Sequence, residues 1–294
     1  MFVVGGKIML QSNGLNKEML DAFKYWILER HRIHIAKDIE HLPPPWTEDK
    51  ILQTYRFCNV HREDDTVTRW IKENIRDPHD GDPYLWLNVT LARIINWPQT
   101  LAEIGYVERW DAAVADYVRR TVQARQLTGK KTFTSAYMVT GTESKGMSKI
   151  NFTILLVGRV WTYKEELCQC SRLAEAEEVL TQAKGISTFL AGQIIADMKY
   201  TVALRGADDW WTWCAPGPGS VRGLNRLHNR PIEKQISVAQ FRAEMDELMT
   251  QIPAMQLHAQ DVQNCLCEFD KWCRVKFNEG TAPKQMYVPH EERT

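Results

Sequence analysis

Gly185-Ile186-Ser187-Thr188-Phe189-Leu190-Ala191 lies between two stretches of helical periodicity, residues 172 to 184 and 188 to 204. Its spacing approaches the helix-hairpin-helix pattern, Gly-apolar-Gly followed by three residues and Ala, with Ser187 replacing the second Gly. In that pattern backbone N–H groups at a helix start bind a DNA phosphate, so Gly185 and Ser187 become candidate DNA-binding positions. A plain Gly turn joining two helices has the same appearance. Just downstream, Gln193 and Asp197 share a face at i, i+4 among Leu190, Ile194 and Ile195. A polar pair on a largely apolar helix is either paired internally or functional.

Helical spacing continues on both sides. Met19, Phe23, Trp26 and Ile27 imply a helix that ends well before Pro43-Pro44-Pro45, and Thr47 can cap a following helix opened by Glu48 and Asp49. Asp82-Pro83 reads as a helix start, with Leu85, Trp86, Leu91, Ile94 and Ile95 as its apolar face up to Trp97-Pro98. Further helical periods cover about 108 to 125, 238 to 250 and 259 to 276. Strand candidates are few, Thr132 to Thr140 and Phe152 to Val160, and both read equally as buried helix. Asp208 to Pro231 holds Gly217-Pro218-Gly219-Ser220 and reads as a loop, while the polar tail, about 278–294, reads as loose. With no repeat or low-complexity tract, residues 1–294 read as a single, mostly α domain.

Composition narrows the function. The 294 residues are 44% hydrophobic and 25% charged, which excludes disorder for most of the chain. Lys+Arg and Asp+Glu both number 37, so attraction to nucleic acid requires a local patch. No run of 18 apolar residues and no secretion signal in Met1 to Leu10 are visible, so the expectation is a soluble intracellular protein without membrane contact. Seven cysteines, an odd number, suit a reducing compartment, and the two Cys-x-Cys pairs lack the spacing and His partners of a zinc site.

Several polar constellations stand out. The densest is Arg56-Phe57-Cys58-Asn59-Val60-His61-Arg62-Glu63-Asp64-Asp65. If residues 50 to 60 are helical, Arg56 and Asn59 share a face suited to a phosphate and a base edge, with Arg62 near the next helix start. Asp64 or Asp65 would cap the helix carrying Val67, Trp70 and Ile71; a solvated charged turn is the alternative. Gly217-Pro218-Gly219-Ser220-Val221-Arg222-Gly223 offers N–H groups, a hydroxyl and a guanidinium, suited to phosphate or pyrophosphate or to a structural loop alone. His258, Asp261, Glu268, Asp270 and Lys271 line the last long helix. Gly141 to Ser148 has the spacing of a phosphate-binding P-loop, but Met147 occupies its Lys position.

Arg56 to Thr68, Gly185 to Asp197, Gly217 to Leu227 and Leu257 to Lys271 together resemble the phage-associated α-glutamyl/putrescinyl thymine pyrophosphorylases, whose helical domain also occurs attached to 5-hydroxymethyluracil DNA kinases. The most specific pieces are Phe57 to Asp65, Gly217 to Asn225 and Leu266-Cys267-Glu268-Phe269-Asp270-Lys271. The resemblance implies a helical fold like that of helix-hairpin-helix DNA glycosylases and a role in thymidine hypermodification of viral DNA. It further implies an amino acid:DNA transferase. An amine or hydroxyl nucleophile, with glycine or serine foremost beside glutamate and putrescine, displaces phosphate or pyrophosphate from the 5-methylene carbon of phosphorylated 5-hydroxymethyl-deoxyuridine.

Under that reading the partners are double-stranded phage DNA carrying the phosphorylated base, a free amino acid or polyamine co-substrate and no other cofactor, in a host cytoplasm shared with a 5-hydroxymethyluracil DNA kinase. Arg56, Arg62, Arg222 and Lys271 are expected at the leaving phosphate, with Arg56, Arg222, Ser220 and Asn225 binding substrate. A carboxylate, Asp64, Asp197 or Glu268, is expected as general base, and Asn59 or Gln193 to read the uracil edge. Gly217 and Gly219 join Gly185 and Ser187 as DNA contacts. Trp210, Trp211 and Trp213 supply either an aromatic surface for an extruded base or buried core. Two other classes remain in view, a glycosylase and a noncatalytic DNA-binding module beside a kinase. Asp208 and Asp209 lie near the distance beyond the hairpin at which a glycosylase places its acid, whereas anchoring on Arg222 to Leu227 puts Gly217 there.

Overall fold

The computed structural model describes residues 14–134, 145–252, 255–280 and 286. In chain order its helices are α1 (Lys17–His34), α2 (Lys50–Thr54), α3 (Thr66–Ile71), α4 (Leu85–Ile95), α5 (Pro98–Ile104), α6 (Ala112–Leu127), α7 (Lys149–Trp161), α8 (Lys164–Gln169), α9 (Leu173–Gln182), α10 (Thr188–Met198), α11 (Pro218–Leu227), α12 (Val238–Gln251) and α13 (Ala259–Lys276). The chain is mostly helical, and among the described residues the β-type pairing noted is an isolated bridge between Tyr55 and Met286. Chain contacts separate two compact units. One comprises Met1–Val60, Gly217–Gln256 and Val262–Thr294, the other His61–Pro216 and Leu257–Asp261. The chain passes between the units at 60/61, 216/217, 256/257 and 261/262, and the second crossing falls within Pro216-Gly217-Pro218-Gly219.

The larger unit is built around α4. All eleven residues of this helix are buried, as its apolar sequence demands, and it packs against α5, α7 and α10. Its buried polar groups are satisfied: Asn88 exchanges two 2.8 Å hydrogen bonds with the backbone of Val107, and Arg93 pairs with Asp197 of α10. The hairpin of α9 and α10 turns at Gly185, whose φ of +97° favours glycine and where a Cβ would stand 2.6 Å from Leu156. Ser187 caps α10 by accepting the Leu190 N–H at 3.2 Å. Gly185→Ala is expected to cost about 1–3 kcal/mol from the backbone conformation alone, read as a lowered midpoint in urea unfolding.

In the smaller unit, α1 buries Leu20, Phe23, Trp26 and Ile27, and Phe23 meets Phe269 edge-on at 5.1 Å. Phe241, Met245 and Leu248 form the buried stripe of α12. A Cβ on Gly223 would approach the Leu266 carbonyl oxygen to 2.5 Å, and one on Gly219 would collide with Cys267, so α11 and α13 touch through missing side chains. The cysteines are reduced, with Cys58 and Cys168 exposed and Cys214, Cys265 and Cys273 buried.

Several local expectations change. The cap of α2 is Asp49, which accepts the N–H groups of Ile51 and Leu52; Thr47 instead accepts the N–H of Asp49. Arg56 and Asn59 do not share a helical face, because α2 ends at Thr54 and the run beyond it is not helical. Gly217 to Ser220 is not a loop but the start of α11: Pro218 occupies the first turn, where no N–H partner is needed, and the Gly217 N–H donates to Ser220 Oγ at 3.0 Å. Phe152 to Val160 is helix α7 rather than strand. Thr132 to Thr140 lies largely outside the described residues, as do Gly141 to Ser144 of the P-loop-like run and most of the tail.

Candidate functional site

Within the larger unit, the turn before α3, the end of α10 and the start of α13 converge on one buried carboxylate. Asp261 is 2% exposed. Its Oδ1 accepts the backbone N–H of Arg62 at 3.0 Å; its Oδ2 lies 3.0 Å from His258 Nε2 and 3.6 Å from His61 Nδ1. His258 stands where an N-cap would, its Nδ1 accepting the Asp261 N–H at 3.2 Å. A backbone N–H can only donate, so the proton of the neutral ring sits on Nε2, facing Asp261 Oδ2 and the Tyr200 hydroxyl at 2.9 Å. The Arg62 side chain is buried and donates from Nη1 to Gln193 Oε1 at 2.7 Å.

Around this core the charges are tuned by burial. Burial pulls His258 down to about 4, against the pull of Asp261, so the ring is neutral at pH 7. Lys199, fully buried at the end of α10, is pulled down to about 7 by burial; its Nζ donates to the Trp210 carbonyl at 2.8 Å and sits 3.8 Å from the Trp210 ring centroid. Burial, with Asp261 and Glu63 adding to it, raises the Tyr200 hydroxyl. His61 moves the other way: its contact with Asp261 raises it, although partial burial opposes the shift. Arg76 forms a two-pronged pair with Glu63 at 2.8 and 2.6 Å and lies over the Tyr200 ring. Trp210 and Trp211 meet edge-on beside His258, and Trp211 is 57% exposed.

The residues singled out by sequence fall into two groups. In the larger unit, Arg62 and Gln193 form the direct contact just described. Asp64 is partly buried in the same turn, its carbonyl accepting from Arg69. Asp197 lies on α10 but is committed to Arg93, which also donates to Thr68 Oγ1 at 3.1 Å. Gly185 and Ser187 are exposed at the hairpin. Asp209 is buried and caps α9, accepting the Leu173 and Ala174 N–H groups at 2.9 Å each, while Asp208 pairs with Arg172. Trp213 is buried, its indole N–H on Glu177.

In the smaller unit, Glu268 accepts the Cys58 N–H at 3.0 Å and pairs with Lys271, whose ammonium donates to the Arg56 carbonyl and lies 4.5 Å from the Phe57 ring centroid. Asn59 is buried and accepts from Arg30. Asp270, also buried, faces three guanidinium groups, Arg222 at 2.8 Å, Arg226 at 2.9 Å and Arg274 at 3.5 Å, a locally cationic cluster in a neutral chain. Ser220 is fully buried and accepts from Gln263; Asn225 is fully buried and donates to the carbonyls of Ile232 and Lys234. Gly217 and Gly219 are buried within the first turn of α11.

Sequence reasoning gave no role to Lys199, Tyr200, His61, His258 or Asp261. The His258-x-x-Asp261 spacing ahead of a helix was the available signal; nothing local marks Lys199 or Tyr200. Among the described residues no group of His, Cys, Asp and Glu could hold a metal ion, and no helix is long and apolar enough to cross a membrane.

The arrangement defines a mostly helical protein whose glycine hairpin leads into a buried centre of carboxylate, imidazole, phenol and guanidinium. The chain belongs to the family described as the helical domain of 5-hmdU DNA kinase, whose model matches residues 17–282. It is 27% identical over 223 residues to the 5-hmdU DNA kinase of Bacillus phage SP10, a stretch covering 67% of this chain and 34% of that protein. The chain thus matches about a third of that relative's length. No solved structure matches it.

Proposed function

We propose that this chain is an amino acid:DNA transferase of phage thymidine hypermodification. It exchanges the phosphate or pyrophosphate on the 5-methylene carbon of phosphorylated 5-hydroxymethyl-deoxyuridine in double-stranded DNA for an amino acid, glycine or serine foremost, or a polyamine. The observation that carries the reading is the match of residues 17–282 to a domain of 5-hmdU DNA kinase. A kinase so named makes a phosphorylated base, and that phosphate is a leaving group awaiting a nucleophile. Met147 in place of the P-loop Lys supports transfer over phosphorylation by this chain. The site would act in the host cytoplasm beside such a kinase, on a base extruded from the duplex.

The buried centre of the larger unit supports this reading, since Arg62 held by Gln193 is a fixed donor suited to a departing phosphate. A glycosylase is disfavoured because the carboxylates downstream of the hairpin are engaged, Asp197 with Arg93, Asp208 with Arg172 and Asp209 with the cap of α9. A noncatalytic module attached to kinase function is the second reading, favoured by the chain's match to only 34% of the phage relative.

Incubation with DNA carrying 5-phosphomethyl-deoxyuridine, or its diphosphate, together with amino acids and putrescine separates these readings after digestion to nucleosides and mass spectrometry. Transfer yields a nucleoside heavier than deoxyuridine by a methylene and one nucleophile. Free base indicates a glycosylase. Salt-sensitive DNA binding without product indicates the module.

A further inference from the structure

We propose that Arg222 and Arg274, held together by Asp270, clamp one phosphodiester of the DNA backbone. The assignment rests on DNA being the partner, which the transferase and the noncatalytic module have in common. It departs from the expectation that Arg222 meets the leaving phosphate.

The cluster lies wholly within the smaller unit. Arg222 and Arg226 sit one turn apart on α11, and Asp270 and Arg274 one turn apart on α13. Asp270 is fully buried, and its Oδ2 accepts from Arg222 Nε at 2.8 Å and lies 3.5 Å from Arg274 Nε, so two guanidinium groups converge on one oxygen. Its Oδ1 accepts from Arg226 Nε at 2.9 Å; Arg226 also pairs with Glu279, and its side chain is only 5% exposed. Arg226 is thus the structural partner. The side chains of Arg222 and Arg274 are 25% and 33% exposed. Both meet the carboxylate through Nε, which leaves the Nη fork of each, among the described residues, for an incoming anion.

Charge selects the ligand. Arg226 alone would neutralise the buried carboxylate, so Arg222 and Arg274 exceed what Asp270 requires. Three guanidinium groups face the carboxylates of Asp270 and Glu279, and one positive charge is left over. That surplus matches a backbone phosphodiester, which carries one negative charge, better than the phosphomonoester on the base, which carries about 1.5 to 2. In a chain whose charges cancel overall, such a local excess is where attraction to DNA can reside.

The test is binding of the full chain to two duplexes of equal length, one with thymidine and one with 5-phosphomethyl-deoxyuridine, followed by fluorescence anisotropy across salt from about 0.05 to 0.3 M. Arg222→Gln combined with Arg274→Gln should weaken binding to both duplexes equally, about tenfold at about 0.1 M salt, and flatten the plot of log K against log salt by about 0.9, the loss of one phosphate contact. Arg222→Lys combined with Arg274→Lys keeps the charge and should keep the slope. Asp270 retains Arg226 in every variant, and circular dichroism checks the fold; Arg222→Gln alone gives a smaller change of the same sign if the double variant does not fold. A slope left unchanged by the Gln substitutions overturns the clamp. A loss confined to the phosphomethyl duplex overturns it in favour of the base phosphate. A wild type that binds neither duplex overturns the DNA reading and the clamp with it.

Discussion

Arg93→Met lowers the stability of the chain by about 3–5 kcal/mol, the loss expected when one member of a buried ion pair is removed and the other is stranded. The site explains the size of the effect. Arg93 is 1% exposed and Asp197 fully buried, the pair is two-pronged, and Thr68 adds a third contact. It joins the central helix α4 to the hairpin helix α10, so the stranded carboxylate would sit in the core of the larger unit. Urea unfolding at pH 7 measures the loss. Restoring neutrality with Arg93→Met and Asp197→Leu together should recover much of it, and a double variant no better than the single one would show that the pair is not what holds these helices.

The second large effect is a dependence on pH. Burial holds folded Lys199 near 7, against 10.5 for the ordinary side chain. Between these values the unfolded chain binds a proton that the folded chain does not, so stability rises with pH across this window. At about 1.4 kcal/mol per unit, the rise approaches an upper limit of about 5 kcal/mol. Lys199→Met removes the titration. The variant should gain on the wild type at pH 7 and fall behind as the pH approaches 10, since it also gives up the hydrogen bond to the Trp210 carbonyl. Parallel slopes for the two proteins in urea unfolding from pH 7 to 10 would contradict this account.

Much of the helical frame is legible in the sequence because periodicity reports burial directly. The period at 259 to 276 is realised as α13, and the Gly185 turn flanked by apolar helices is realised as the α9–α10 hairpin. Misreadings arise where tertiary partners override local signals. The run after Thr54 leaves the helix because its backbone groups are taken elsewhere: Glu268 accepts the Cys58 N–H, Arg30 donates to the Cys58 carbonyl and Lys271 to that of Arg56. Gly217-Pro218-Gly219-Ser220 resembles a loop by composition, yet Pro at the first helical position and glycines facing α13 are what a tightly packed helix start requires.

The candidate site was legible in part for a related reason. Arg62 and Gln193 were visible as polar residues in conspicuous places, and the structure brings them into contact. Asp261 was visible only as one of several polar residues on a helix. Its importance comes from burial and from His61, two hundred positions earlier, and no spacing rule reports such a pairing.

The cysteine distribution has a practical consequence. Cys58 and Cys168 are exposed, one on each compact unit, whereas burial holds Cys267 and Cys273 up to about 12 and Cys170 up to about 11. Burial also raises the Cys168 thiol, so a thiol-directed reagent distinguishes these two positions by their exposure. Paired nitroxide or fluorescent tags can be attached to the native chain there, giving a molecular ruler between the two units with no substitution at all.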